Sequence, residues 1–501
     1  MGILLNSFTN FLSFQVISAL FIGVAFGILG GALPGISPSM TIALLLPISL
    51  YLPADVAIAM MMGSYQGSMF GGSISAILIN TPGTASAAAT TLDGYQMALK
   101  GQSGKALHMA LYASVTGGMV GVIILLVMAK PLSMVTLKFG PPEYFGLMVL
   151  SLSLIAGISG KSFTRGLISA CLGLLMATVG MDPIYGTKRF TFGNINLGDG
   201  VQTLSIFIGV FALAEILSQL TKGKEELTRK EETLSLEQNT LTFKEYFGNL
   251  WTIIKSGVIG ALIGVLPGIG GSTACFIAYA EAQRNSDHPE KFGTGIIEGI
   301  AAPEAANNAV AGGALVPTLT FGIPGDVVTA ILVGALIAHG IKPGPLLFTD
   351  DIGSVYTIYI AMFFAVVALL VVGKLGVPLF AKIINLRKST LLPMIFIICV
   401  VGTYSTRTNL FDAASMLFFG ALGFILRKNK FPIPPFVIAF VIGAQLESNL
   451  KRSLILSDGS MSIFFTRPIS AILILVALTM AVLMLVRNYK DQKKEEAKST
   501  E

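Results

Sequence analysis

The first 99 residues contain no Lys or Arg and only two acids, Asp55 and Asp93. Apolar stretches cover roughly 11–33, 38–52 and 54–80 of that region, with a shorter one at 83–99. A soluble domain carries about 25% charged residues. This chain of 501 residues has 12% charged and 53% apolar residues, with a mean hydropathy of +0.77. Continuous apolar runs of spanning length make it an integral membrane protein of many helices. The runs do not alternate on a period of two, which excludes a β-barrel. The run from Phe11 to Leu33 is long enough to span and no positive region precedes it, so it reads as a retained first helix. The net charge of +6 resides in short loops and the tail rather than on a phosphate-tracking face, which excludes nucleic acid as a partner. Cys171, Cys275 and Cys399 are scattered through apolar sequence, with neither a disulfide framework nor a metal-ligand spacing, and read as packing residues.

The stretch from Ala301 to Pro345 departs from a plain spanning helix. It carries Glu304, Asn307, Asn308 and Asp326, and no Lys or Arg stands between Lys291 and Lys342. Gly312, Gly313, Pro317, Gly322, Pro324 and Gly325 interrupt it. A broken helix at membrane depth frees backbone N–H and C=O groups, tolerated where they are buried in protein or line a water-filled cavity. Polar residues beside such breaks are the usual mark of a transporter's substrate and ion site. The competing reading is close helix packing through small residues.

Comparable breaks occur at Leu33-Pro34-Gly35-Ile36-Ser37-Pro38 and at Asn80-Thr81-Pro82-Gly83-Thr84. Gly27, Gly31, Leu33-Pro34-Gly35-Ile36 and Ser39 match Gly260, Gly264, Leu266-Pro267-Gly268-Ile269 and Ser272 at a constant offset of 233. Gly71, Pro82-Gly83 and Lys100 match Gly313, Pro324-Gly325 and Lys342 at an offset of 242. The difference fits an insertion around Gln283 to Lys291. Two paired breaks in matching order are what a repeat-built transporter shows. The expected fold is an all-α polytopic membrane protein of two homologous halves, inverted repeats, with broken helices or re-entrant hairpins and about 11–14 membrane segments. Its parts are a first repeat (1–220), a charged cytoplasmic linker (221–247), a second repeat (248–450), a C-terminal spanning segment (451–487) and a polar, disordered tail (488–501).

At these motifs the chain resembles the large membrane subunit of the tripartite tricarboxylate transporter family (TctA type). The carrying segments are Gly31-Ala32-Leu33-Pro34-Gly35 and GGSISAILINTPGTASAAATTLDGYQMALKGQ from Gly71 to Gln102. The second half contributes GVLPGIGGSTACFIAYAEA from Gly264 and FGTGIIEGIAAPEAANNA from Phe292, then FGIPGDVVTAILVGALIAHGIKPGP from Phe321 to Pro345. The resemblance covers most of the chain. It implies cation-coupled uptake of di- or tricarboxylates across a bacterial cell (inner) membrane. It also implies two partners, a periplasmic or extracellular solute-binding protein that delivers substrate and a small four-helix membrane subunit. The family usually has a small neutral residue such as Ser where this chain has Asp326. The sequence permits a homo-oligomer.

A carboxylate substrate calls for positive charge, yet the apolar parts of the motifs hold no Lys or Arg. The remaining donors are backbone N–H groups at half-helix N-termini, with hydroxyls and amides beside them. A helix N-terminus carries about half a positive charge, and glycine lets an anion approach. The candidate substrate-binding residues are therefore Pro34, Gly35, Ser37 and Ser39, then Asn80, Thr81, Pro82, Gly83 and Thr84. Gly268, Gly270, Gly271, Ser272, Thr273, Pro324 and Gly325 supply the second half's set. Tight turns at helix breaks would use the same residues. Lys100 and Lys342 read as loop anchors. No organic cofactor is expected; the coupling ion is Na⁺ or H⁺. Oxygen ligands for it come from Glu304, Asn307, Asn308 and Asp326, with Na⁺ at Asn307, Asn308 and Asp326, or a proton on a buried Glu304. Interhelical hydrogen bonds are the structural alternative. A rival class is an intramembrane serine protease at Gly157-Ile158-Ser159-Gly160, but no histidine stands in a telling context. A stand-alone carrier or a channel is the other alternative.

Overall fold

The computed structural model describes residues 2–158, 162–221, 240–383 and 388–499. Most of the charged linker, 222–239, and Ser159 of the protease motif lie outside the described residues. Among those described, the chain is helical apart from one antiparallel ribbon, Gly180–Met181 (β1) with Lys188–Arg189 (β2). Eight helices are long and apolar enough to cross a bilayer, and four shorter apolar ones accompany them, which makes this a multi-pass membrane protein.

The chain starts with α1 (Gly2–Phe11) and α2 (Phe14–Ala32). The first break turns it into α3 (Pro38–Ser49), followed by α4 (Ala54–Ile79). A second break precedes α5 (Ala88–Leu99) and the long α6 (Ser103–Thr136). Then come α7 (Pro141–Ile158), α8 (Phe163–Ala177), the ribbon, and α9 (Thr203–Leu220), which contains a π-helical stretch, Ile208–Leu213. After residue 240 the chain forms α10 (Phe243–Gly248) and α11 (Leu250–Val265), breaks, and forms α12 (Gly270–Asn285) and α13 (Glu298–Phe321). It breaks again before α14 (Val327–Ala338) and α15 (Ile352–Ile383). The remaining long helices are α16 (Lys388–Arg407), α17 (Leu410–Lys428), α18 (Ile433–Leu456) and α19 (Pro468–Ser499). α19 corrects the expectation of a disordered tail, because the helix runs on through 488–499. Lys, Glu, Gln and Ala there are strong helix formers and extend a helix already nucleated in the membrane.

The breaks have local causes. Pro38 cannot continue a preceding helix but suits the first turn of a new one, and the Ser37 hydroxyl caps that turn by accepting from Met40 N–H at 3.2 Å. Gly35 and Gly268 stand at φ +94° and +86°, a conformation side chains rarely adopt. α4 ends on Asn80 and α13 on Gly322, both left-handed.

α4 and α13 form the centre. Both are long and almost wholly buried, yet neither is apolar enough to count as a spanning helix. Surrounded by other helices, they have no lipid-facing side to make apolar. On α2, Gly23, Gly27 and Gly31 meet Met60, Ser64 and Ser68 of α4 in order, so these two helices run parallel. Gly260 and Gly264 of α11 meet Ala306 and Val310 of α13 in the same sense. Gly31 lies against the backbone of Gly71 and Gly72, and Gly264 likewise against Gly313 and Ala314. A Cβ at either glycine would push the backbones apart, so these helices pack through small residues. α4 and α13 cross antiparallel, since Gln66, Met69 and Ser73 meet Asn308, Asn307 and Glu304 in reverse order.

Candidate functional site

The crossing of α4 and α13 gathers polar groups in the middle of the helices. Asn307 donates from Nδ2 to the Met69 carbonyl at 2.9 Å. Asn308 donates from Nδ2 to the Gln66 carbonyl at 3.1 Å and to Gln66 Oε1 at 2.7 Å. The amide oxygens of both asparagines are buried and accept no hydrogen bond, and Gln66 Nε2 and Ser64 Oγ beside them are also unpartnered. A buried polar atom left unsatisfied costs about 1–3 kcal/mol. Each of these oxygens has free lone pairs that could be offered to a cation.

Glu304, one turn before Asn308, is fully buried. Three hydroxyls from three helices donate to it: Ser73 of α4 at 2.5 Å, Thr90 of α5 in a short contact, and Ser114 of α6 at 3.1 Å. Among the described residues it makes no ion pair. Asp326 is held differently. It caps α14, accepting from Thr329 N–H at 2.7 Å, while the Thr329 hydroxyl closes a capping box. Its second oxygen accepts from Tyr65 Oη at 2.6 Å, which joins it to the residue beside Gln66.

The breaks divide into two groups. Ser86, whose hydroxyl lies 3.1 Å from that of Thr84, lies next to Gly271, and a Cβ built on Gly271 would stand 3.5 Å from Ser86 and 3.6 Å from Asn307 Oδ1. The N-terminal turn of α12 thus lies against the unpartnered oxygen of Asn307, with Ser86, just before α5, beside the same glycine. Gly270, Ser272 and Thr273 in the same turn are half-exposed. Gly268 donates from its N–H to the Gly325 carbonyl at 2.8 Å, linking the second half's two breaks. Gly83 packs under Gly31 and donates to the Gly72 carbonyl at 3.2 Å, and the Thr84 hydroxyl accepts from Ala87 N–H at 3.2 Å in the turn that leads into α5. Pro34, Gly35, Ser37 and Ser39 lie apart from this group, beside the end of α9, where Gly35 faces Gln219. Asn80, Thr81, Pro82 and Pro324 shape the turns.

Sequence reasoning missed several partners. Ser73, Thr90 and Ser114 are ordinary small residues of helical sequence, and nothing marks them as Glu304 donors. Asp93 is buried on α5 and accepts from Tyr279 Oη at 2.8 Å and from the N–H groups of Gly293, Gly295 and Ile296 at 2.7–3.1 Å. It clamps the loop that aims α13. Its isolation in an otherwise almost acid-free region was the available signal. Lys100 anchors the same loop through the Thr294 carbonyl at 2.6 Å.

Residues 17–438 match the family described as "Tripartite tricarboxylate transporter TctA family". A protein of Agrobacterium vitis described as an uncharacterized 52.8 kDa protein in the TAR-I ttuC′ 3′ region is 38% identical over 473 residues, 94% of each chain. A second from the same organism, an uncharacterized protein in the TAR-II ttuC′ 3′ region, is 37% identical over 236 residues, 46% of this chain and 98% of its own length. No solved structure matches the chain. With the family match spanning most of the membrane region, the chain belongs to the TctA family, the large membrane subunits of tripartite tricarboxylate transporters.

Proposed function

We propose that this subunit is a cation-coupled secondary carrier that imports di- or tricarboxylates delivered by an extracytoplasmic solute-binding protein. It acts beside a small four-helix membrane subunit in a bacterial inner membrane, with residues 221–247 and the C-terminus on the cytoplasmic side. The observation that carries this reading is the pair of unpartnered Asn307 and Asn308 oxygens where two broken-helix units cross. A Na⁺ ligated by these oxygens would satisfy them and place positive charge beside Gly271 and the N-terminal ends of α5 and α12. Gly268, Gly270, Gly271, Ser272, Thr273 and Thr84 would bind the substrate's carboxylates there, with Ser37 and Ser39 serving the opposite side. Asp326 belongs to the set through Tyr65. A second reading, H⁺ coupling, is favoured by Glu304, a buried carboxylate held by hydroxyls alone.

The two halves, 1–220 and 248–450, are proposed to be inverted repeats. The glycine contacts of α2 with α4 recur in α11 with α13 at the offsets of 233 and 242 read from the sequence. The antiparallel crossing of α4 and α13 supports inversion. The longer α12 and its following loop absorb the nine-residue difference in offset.

The test is uptake by liposomes containing this subunit, its small partner and cognate binding protein, under separate Na⁺ and pH gradients. Asn307→Ala and Asn308→Ala should raise the Na⁺ concentration for half-maximal uptake about tenfold, the loss of roughly one good ligand. If the proton drives uptake instead, Glu304→Gln abolishes dependence on the pH gradient and the asparagine variants leave it intact. Gradient-independent flux in wild-type protein would refute coupled transport.

A further inference from the structure

A cleft of about 430 Å³ brings together three places far apart in the sequence. Ser37 and Ser39 line it from the first break, Val327 from the start of α14, Arg427 from the last turn of α17 and Lys430 from the turn between α17 and α18. Ser37 Oγ and Ser39 Oγ lie 2.8 Å apart at the N-terminal end of α3. Val327 follows Asp326, which bonds Tyr65 beside the crossing, so one wall of the cleft is a chain neighbour of the central polar cluster. Its mouth lies by the end of α9, where Glu215 and Gln219 stand next to Gly35.

Among the described residues, the charge at the mouth is positive. Arg427 pairs closely with Glu215 and also donates to the Val210 carbonyl at 3.4 Å. Lys430 is exposed, and among the described residues it makes no ion pair. Glu215 offsets one of the two cations and leaves one in excess beside two hydroxyls and a helix N-terminus. We propose that this cleft is an anion-binding vestibule, which takes the substrate's carboxylate groups on the face where α9 ends at Leu220. It rests on the carrier reading above and supplies the fixed positive charge that the broken-helix motifs lack. Held by Lys430 and Arg427, a carboxylate leaving the crossing exchanges a dry site for a charged, wetted one, which favours its release on that side.

The test uses Ser37→Cys in a background without Cys171, Cys275 and Cys399, together with the small subunit in phosphatidylcholine vesicles. The measured quantity is the ratio of modification rates by a singly anionic and a singly cationic thiosulfonate. Lys430→Gln should lower that ratio about twofold or more, the direction expected when one nearby positive charge is removed. Lys428→Gln, on the same turn but outside the cleft, should leave it near the Ser37→Cys value. Citrate or succinate should slow modification of Ser37→Cys and fail to do so with Lys430→Gln, while acetate has a weaker effect. Equal ratios in the two lysine variants overturn the proposal. So does absence of protection by either polycarboxylate, which would leave a charged surface without a site. Protection by added anionic lipid alone would make it a headgroup site and likewise overturn it. Transport that persists in such an outcome leaves the carrier reading standing, whereas wild-type protein that transports no carboxylate with any binding protein removes the parent reading.

Discussion

Asp326 shows how one side chain can serve two chemistries. Its position after a Pro-Gly break suggested an ion ligand, and the structure gives it a capping box on α14 and a bond to Tyr65. An N-cap side chain contributes about 0.5–2 kcal/mol, so Asp326→Ala should lower the unfolding temperature of the detergent-purified protein by a few degrees. Asp326→Ser keeps a good cap and loses the acceptor for the Tyr65 hydroxyl. It should therefore unfold close to wild type, and a drop as large as that of Asp326→Ala would show that the tie to Tyr65 dominates. Any change in cation dependence in the serine variant reports on the Tyr65–Gln66 side of the crossing. Glu304 has no such structural employment. Its three donors come from three helices and none of them is a helix cap.

Among the elements, the segment between α8 and α9 is fastened to α18 by charge. Asp182 and Arg189 of the ribbon interlock with Glu447 and Lys451, with Lys451–Glu447 at 2.7 Å and Arg189–Asp182 at 3.2 Å. The Lys451 ammonium also sits 5.2 Å over the Tyr185 ring. Its hydrogen bond, with those of Tyr185 and Ile184 N–H, holds the Asp182 carboxyl well below the usual carboxylate range. In the unfolded chain that group titrates near about 3.9. A depressed folded value means that the tie contributes fully above the unfolded value and is lost as pH falls through the folded one. The stability difference between wild type and Asp182→Asn should therefore be constant from neutral pH to about 5 and shrink below about 4. Thermal melts across that range check it, and a gap that widens in acid would contradict the assignment. On the other face, Glu245 caps α10 and pairs with Lys105 at 2.6 Å, and its carboxyl is pushed down to about 2 by Lys105 first and Thr242 second.

For the whole molecule, the proposed inversion of the halves would have the two sets of broken helices face opposite sides, in keeping with the antiparallel crossing of α4 and α13. Ser37 at the start of α3 and Ser272 in the first turn of α12 are both half-exposed. Single cysteines there should react with a membrane-impermeant thiol reagent from opposite sides of oriented vesicles. Reaction of both from one side would show a parallel arrangement of the halves.

Much of this was legible in the chain itself. Charge-poor apolar runs dictated membrane helices, because lipid offers the backbone no partners. Pro-Gly pairs marked the breaks, since they can neither continue a helix nor be replaced without strain. Equal offsets between glycines marked which helices pack alike, and Asn307-Asn308 stood out as amides inside an apolar run. Which residues meet was beyond the sequence. Gln66 lies opposite Asn308, Ser73, Thr90 and Ser114 converge on Glu304, and Arg427 and Lys430 reach the cleft of Ser37, each across 190 positions or more. Local propensity and periodicity say nothing about contacts at that separation. They are decided by how the helices cross, and that follows from the packing of small residues over the whole bundle.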